Sequence, residues 1–104
     1  MPDIGNMLKG LKADLKVALG NKLSEIILFG SYSRGDFNEY SDVDLLIIIN
    51  GILNKNEQQK VDDLVADYSL ENEVVISGLL YPAEIYHKFN SPFLQNVKEE
   101  GVTI

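Results

Sequence analysis

Two apolar runs, Ile26-Ile27-Leu28-Phe29 and Leu45-Leu46-Ile47-Ile48-Ile49, bracket a polar stretch that carries both a glycine turn and a pair of aspartates. Short, apolar and bounded by turn residues, each run reads as a strand. The strands are placed at Ser24 to Phe29 and Asp42 to Ile49. The first runs into Gly30-Ser31-Tyr32-Ser33-Arg34-Gly35, and the second opens on Asp42-Val43-Asp44. A turn able to hold phosphates thus stands beside a carboxylate pair able to hold a metal. Phosphoryl-transfer chemistry needs both parts.

The rest of the chain supplies helices. Met7, Leu8, Leu11, Leu15, Val17, Ala18 and Leu19 recur at helical spacing, and Gly20-Asn21 is the stop signal. Asn54 can cap a helix across Lys55 to Tyr68, with Val61, Leu64, Val65 and Tyr68 on one face. Glu73 to Leu80 reads as a third strand, broken by Gly78. Pro82 opens a short helix through Phe89, Ser91-Pro92 opens a last one through Glu100, and Val102-Thr103-Ile104 can add an edge strand. The expected fold class is α/β (α+β), a small mixed sheet with helices packed on one face, in one domain spanning 1–104.

Composition closes off several function classes. A net charge of −7 argues against broad electrostatic capture of nucleic acid, so no direct nucleic-acid binding is expected. There is no cysteine, hence no disulfide, thiolate zinc site or thiol chemistry. Met1-Pro2-Asp3 lacks a signal-peptide pattern, and Leu45 to Ile49, the longest apolar run, is far short of a membrane span. A cytoplasmic location without a membrane partner is expected.

Asp42 and Asp44 fall on the same face of a strand, while Val43 points into the core. Two like charges so placed repel, and a hard divalent cation such as magnesium removes the repulsion. An isolated Asp-x-Asp is more often a solvated strand end; the glycine segment changes that balance. Gly30 and Gly35 allow close backbone approach, Ser31 and Ser33 carry hydroxyls, and Arg34 can grip a phosphate or pair with Asp36 or Glu39. The segment fits neither a Walker loop, nor a Rossmann fingerprint, nor an EF-hand.

Gly30-Ser31, Arg34-Gly35 and Ser41-Asp42-Val43-Asp44-Leu45 together resemble the minimal nucleotidyltransferases of the DNA polymerase β-like superfamily. The resemblance covers Leu28 to Ile49 and implies a nucleotidyltransferase fold. It implies that Gly30, Ser31 and Arg34 bind ATP or another nucleoside triphosphate, and that Asp42 and Asp44 bind Mg2+. It further implies transfer of a nucleoside monophosphate, most simply AMP from ATP, to a hydroxyl. The acceptor would lie on a second chain, a HEPN-type helical partner protein, with this chain as the antitoxin of a toxin–antitoxin pair. The alternative is a catalytically degenerate module that neutralises or scaffolds a partner by contact alone.

The family's third carboxylate, on the next long strand, has no aspartate here. Glu73, placed at the strand start, is the substitute chosen as third metal ligand and catalytic residue, against its reading as an exposed strand-entry residue. Tyr32 and Tyr40 flank the site and can stack on a nucleobase or pack over the loop. His87 is assigned a structural role. Tyr81, Tyr86, Phe89 and Phe93 form an aromatic group, mostly core, part of which can serve a partner or a homo-oligomer.

Overall fold

The computed structural model describes residues 4–38 and 41–104. Met1-Pro2-Asp3, Glu39 and Tyr40 lie outside the described residues. Helix α1 (Ile4–Leu19) turns Met7, Leu8, Leu11, Leu15 and Leu19 inward, as the spacing predicts, and a single 3-10 turn, Gly20–Lys22, ends it. Strand β1 (Leu23–Phe29) leads into a one-turn helix α2 (Ser31–Arg34), and β2 (Val43–Ile49) follows. Helix α3 (Lys55–Asn72) is started by a capping box. The Asn54 side chain accepts from Glu57 N–H at 2.8 Å, and Glu57 Oε1 accepts from Asn54 N–H at 3.0 Å. Strand β3 (Ile76–Pro82), helices α4 (Ala83–Lys88) and α5 (Pro92–Glu100), and a short β4 (Val102–Thr103) complete the order.

The sheet runs β3-β2-β1-β4. β2 lies antiparallel to β1 and parallel to β3, and β4 pairs antiparallel with β1. This is the expected mixed sheet. Its centre is β2, where Val43 and the run Leu45 to Ile48 are all fully buried. Each such side chain contributes about 1.5–3 kcal/mol by leaving water.

The helices do not all pack on one face. α1 and α3 cover the side formed by Ile26, Leu28, Val43, Leu45, Ile47 and Ile49. α4 and α5 cover the other, through Ala83, Tyr86, Leu94 and Val97 against Ile27, Leu46 and Ile48. The physical reason lies in the apolar runs themselves. An unbroken run points apolar side chains to both faces, so one helical layer would leave Leu46 and Ile48 in water.

The third strand also starts later than expected. α3 continues one turn past Tyr68, and Glu73 is its C-cap, in the left-handed conformation with φ 54° and its N–H directed at Leu70 O and Ser69 O. Ser69 ties the turn together: its hydroxyl donates to Val65 O at 2.8 Å and accepts from Ile76 N–H at 3.2 Å. β3 then passes through Gly78 without a break, each residue from Ile76 to Pro82 paired to β2. The aromatic group divides: Tyr86 is buried, Tyr81 half-buried, and Phe89 and Phe93 are 61% and 39% exposed. Among the described residues no helix is long and apolar enough to cross a membrane.

Candidate active site

The glycine turn and the aspartates meet where β1 ends and β2 begins. Phe29 and Asp44 are register partners across these antiparallel strands, so their side chains share the sheet face covered by α4 and α5. Gly30 follows with φ 76° and ψ −153°, a backbone state open to glycine. A Cβ built on Gly30 would collide with Asp44 Oδ2, so the carboxylate occupies the space that the missing side chain leaves.

Gly30 O then accepts from Ser33 N–H at 3.1 Å and Arg34 N–H at 3.2 Å, and Gly35 closes α2 in the left-handed region. The amides of Ser31 and Tyr32 precede the first bonded amide of this turn. The two serines differ. Ser33 Oγ donates to Gly30 O at 2.8 Å and so stabilises the turn rather than facing a ligand, whereas no hydrogen bond engages the Ser31 hydroxyl among the described residues.

Asp42 stands just before β2, exposed, and Asp44 is half-buried within it. Val43 between them is fully buried, and its N–H donates to Val75 O at 2.8 Å. Burial, and then the Asp42 charge, push the Asp44 carboxyl above its ordinary range, while Arg34 pulls it back. Upstream, Ser41 closes the connecting loop: its N–H donates to Asn38 O and its Oγ accepts from Asn38 N–H, both at 3.0 Å.

Arg34 carries two ion pairs, to Asp36 at 3.2 Å and to Glu100 of α5 at 3.3 Å. Both partners raise its pKa further. Of its expected partners Asp36 is therefore found; Glu39 lies outside the described residues. Tyr32 stacks on Phe37, ring centres 4.4 Å apart, and so packs over the loop. Tyr40 lies outside the described residues. His87 is exposed and sits edge-on to Tyr86 at 5.1 Å.

Glu73 does not join the aspartates. It is exposed at the end of α3, outside β3, and among the described residues no three acidic or histidine side chains converge as a metal cluster. The residue that β3 places in register with Asp44 is Ser77, on the same face. Sequence reasoning missed this because it started the strand three residues early.

It also missed the contribution of α5. Phe93, Asn96, Val97 and Glu100 line a cavity of about 240 Å3 together with Phe29, Gly30 and Arg34. Their i, i+3, i+4, i+7 spacing was the available signal. What it lacked was any sign of which strand end α5 would face.

Comparison with known proteins decides the class. The family model described as Nucleotidyltransferase domain matches residues 7–102. The chain belongs to the nucleotidyltransferase domain family. A protein of Methanocaldococcus jannaschii named as a protein adenylyltransferase is 36% identical to this nucleotidyltransferase over 102 residues, 98% of this chain and 99% of the relative. A second protein so named from that organism is 39% identical over 88 residues, 84% and 83% of the two chains.

Solved structures agree in fold. A minimal nucleotidyltransferase superposes with a TM-score of 0.64 at 18% identity, over 98% of this chain and 96% of its own. A toxin–antitoxin structure with AMP-PNP gives 0.62 at 20% identity, over 91% and 70% of the chains. The complex of an MNT antitoxin with the tri-AMPylated HEPN toxin of Shewanella oneidensis gives 0.55 at 20% identity, over 94% and 67%.

Proposed function

We propose that this nucleotidyltransferase transfers AMP from ATP, in a magnesium-dependent reaction, to a hydroxyl of a HEPN-type helical protein, and so acts as the antitoxin of that pair. The observation that carries the reading is the fit of the Asp44 carboxylate into the space beside Gly30, which brings the phosphate turn and the acidic pair to one point. The named relatives and the AMP-PNP and AMPylated-toxin complexes support the choice of nucleotide and acceptor.

The donor set suits magnesium. Two carboxylates on one strand end, one with its pKa raised by burial and then by the other's charge, favour a hard divalent cation that takes its remaining ligands from phosphates and water. Asp42 and Asp44 would hold that ion, which when bound neutralises phosphate charge and lowers the pKa of an acceptor hydroxyl. Gly30 and the Ser31 amide and hydroxyl would seat the triphosphate against the turn. Arg34 would reach a phosphate by exchanging a carboxylate for it. The acceptor hydroxyl gives up its proton to solvent as its oxygen attacks the α-phosphorus; the bond from that phosphorus to the bridging oxygen breaks, and pyrophosphate leaves with the electron pair.

One observation favours the contact-only alternative: no third carboxylate stands with Asp42 and Asp44 among the described residues. A single experiment separates the two. A HEPN-type helical protein is incubated with this chain, magnesium and α-labelled ATP. The proposal expects label on the partner, lost in Asp42→Asn and Asp44→Asn. A partner neutralised without label, equally by wild type and variants, would establish the contact-only reading.

A further inference from the structure

The cavity beside the glycine turn has walls of a different character from the turn itself. Phe29 and Phe93 meet edge to face, ring centres 5.7 Å apart and planes at 87°. Phe93 keeps 39% of its surface open. Asn96 is exposed one turn further along α5, and no hydrogen bond engages its amide among the described residues. Glu100 lies beyond, its carboxylate taken up by Arg34 at 3.3 Å.

This wall is firmly held. α5 starts at Pro92, with Ser91 Oγ accepting from Leu94 N–H at 3.2 Å, and it buries Leu94 and Val97 almost completely. At Gly101 the chain leaves α5 so close to β1 that a Cβ there would collide with Ile27 and with Val97 O. Phe93 and Asn96 are therefore presented to the cavity from a fixed helix rather than from a loop.

We propose that this cavity is the nucleobase pocket of the site and that it takes adenine, with Phe93 stacking on the ring and the Asn96 amide reading its edge. The inference rests on the nucleotide reading above and extends it to base selection. At about 240 Å3 the cavity is smaller than the ~300–1,000 Å3 of pockets that hold a whole ligand, so it suits one part of a nucleotide. It shares Gly30 and Arg34 with the phosphate turn, as a base joined to those phosphates requires. An aromatic face accepts any base. An asparagine amide, one donor beside one acceptor, matches the N6 amino group and ring nitrogen of adenine. With N7 as that ring nitrogen, guanine offers two acceptors on the same edge, N7 and O6, and leaves the amide oxygen unmatched.

The test is calorimetric titration of the whole chain with Mg–ATP, Mg–GTP and magnesium triphosphate. Wild type should bind ATP roughly ten- to a hundredfold more tightly than triphosphate, and more tightly than GTP. Phe93→Leu should bring ATP affinity toward the triphosphate value. Asn96→Ala, an exposed change that leaves the core alone, should erase the preference over GTP. Neither variant should alter triphosphate binding. Equal affinity for ATP and triphosphate in wild type, or unchanged ATP binding in both variants, would overturn the pocket while leaving the phosphate site standing. Failure of wild type to bind any of the three would overturn the nucleotide reading and the pocket with it.

Discussion

The Asp44 carboxylate lies where a side chain at position 30 would have to be. Glycine turn and acidic pair are thereby one unit, although Gly30 and Asp44 belong to different strand ends. Gly30→Ala should test the unit as a whole. The new methyl meets Asp44 Oδ2, and φ 76° with ψ −153° is strained for alanine. A loss of about 1–3 kcal/mol in denaturant unfolding is expected, together with loss of Mg–ATP binding.

Asp44→Asn should stabilise the metal-free protein while ending its binding. The Asp44 pKa is raised in the fold by burial and by Asp42, so folding disfavours its ionised form. Stability is therefore lost as pH rises through and above the ordinary carboxylate range, and the asparagine variant escapes that loss. Solvent screening at this half-exposed carboxylate holds the effect to about 0.2–0.5 kcal/mol, or roughly 1–4 °C in Tm at neutral pH with chelator present.

Glu73 caps α3 outside β3, and Ser77 is the residue in register with Asp44. Glu73→Gly relieves a non-glycine residue at φ 54° and should raise stability by about 0.5–1 kcal/mol with no change in divalent-ion affinity. Ser77→Asp adds a carboxylate on the face of Asp44, at its register partner. Manganese affinity, read by titration calorimetry, should rise about tenfold. A fall in affinity in the Glu73 variant would restore Glu73 as a ligand.

The error at Glu73 shows what a single sequence hides. α1, β1, β2 and the two proline-led helices were legible because spacing, apolar runs and caps all pointed the same way. Glu71-Asn72-Glu73 carries no such agreement, and the helix end is set by Ser69 bonding across to Ile76, a contact seven residues apart. The two-sided packing was written in Leu45 to Ile49. Both ends of Arg34's ion-pair network were visible as charges, but the 66-residue separation of Arg34 and Glu100 was closed only by the fold.

Tyr68 fastens α3 to α1 by donating to Asp14 Oδ2 at 2.5 Å, and that bond holds its pKa up at about 12. The unfolded chain loses the phenol proton near pH 10. Stability contributed by this bond is thus complete below pH 10 and falls between there and about 12. Tyr68→Phe should cost about 0.5–1.5 kcal/mol at neutral pH and flatten the alkaline limb of the unfolding profile, followed by circular dichroism.

The most direct measurement is thermal unfolding of wild type and Asp44→Asn with magnesium and ATP, added separately and together. A magnesium-bridged nucleotide site predicts a joint shift in wild type larger than the sum of the separate ones, near 2.7 kcal/mol of stabilisation at a hundred times Kd, and none in the variant. No joint shift in wild type, or an equal shift in the variant, would contradict it.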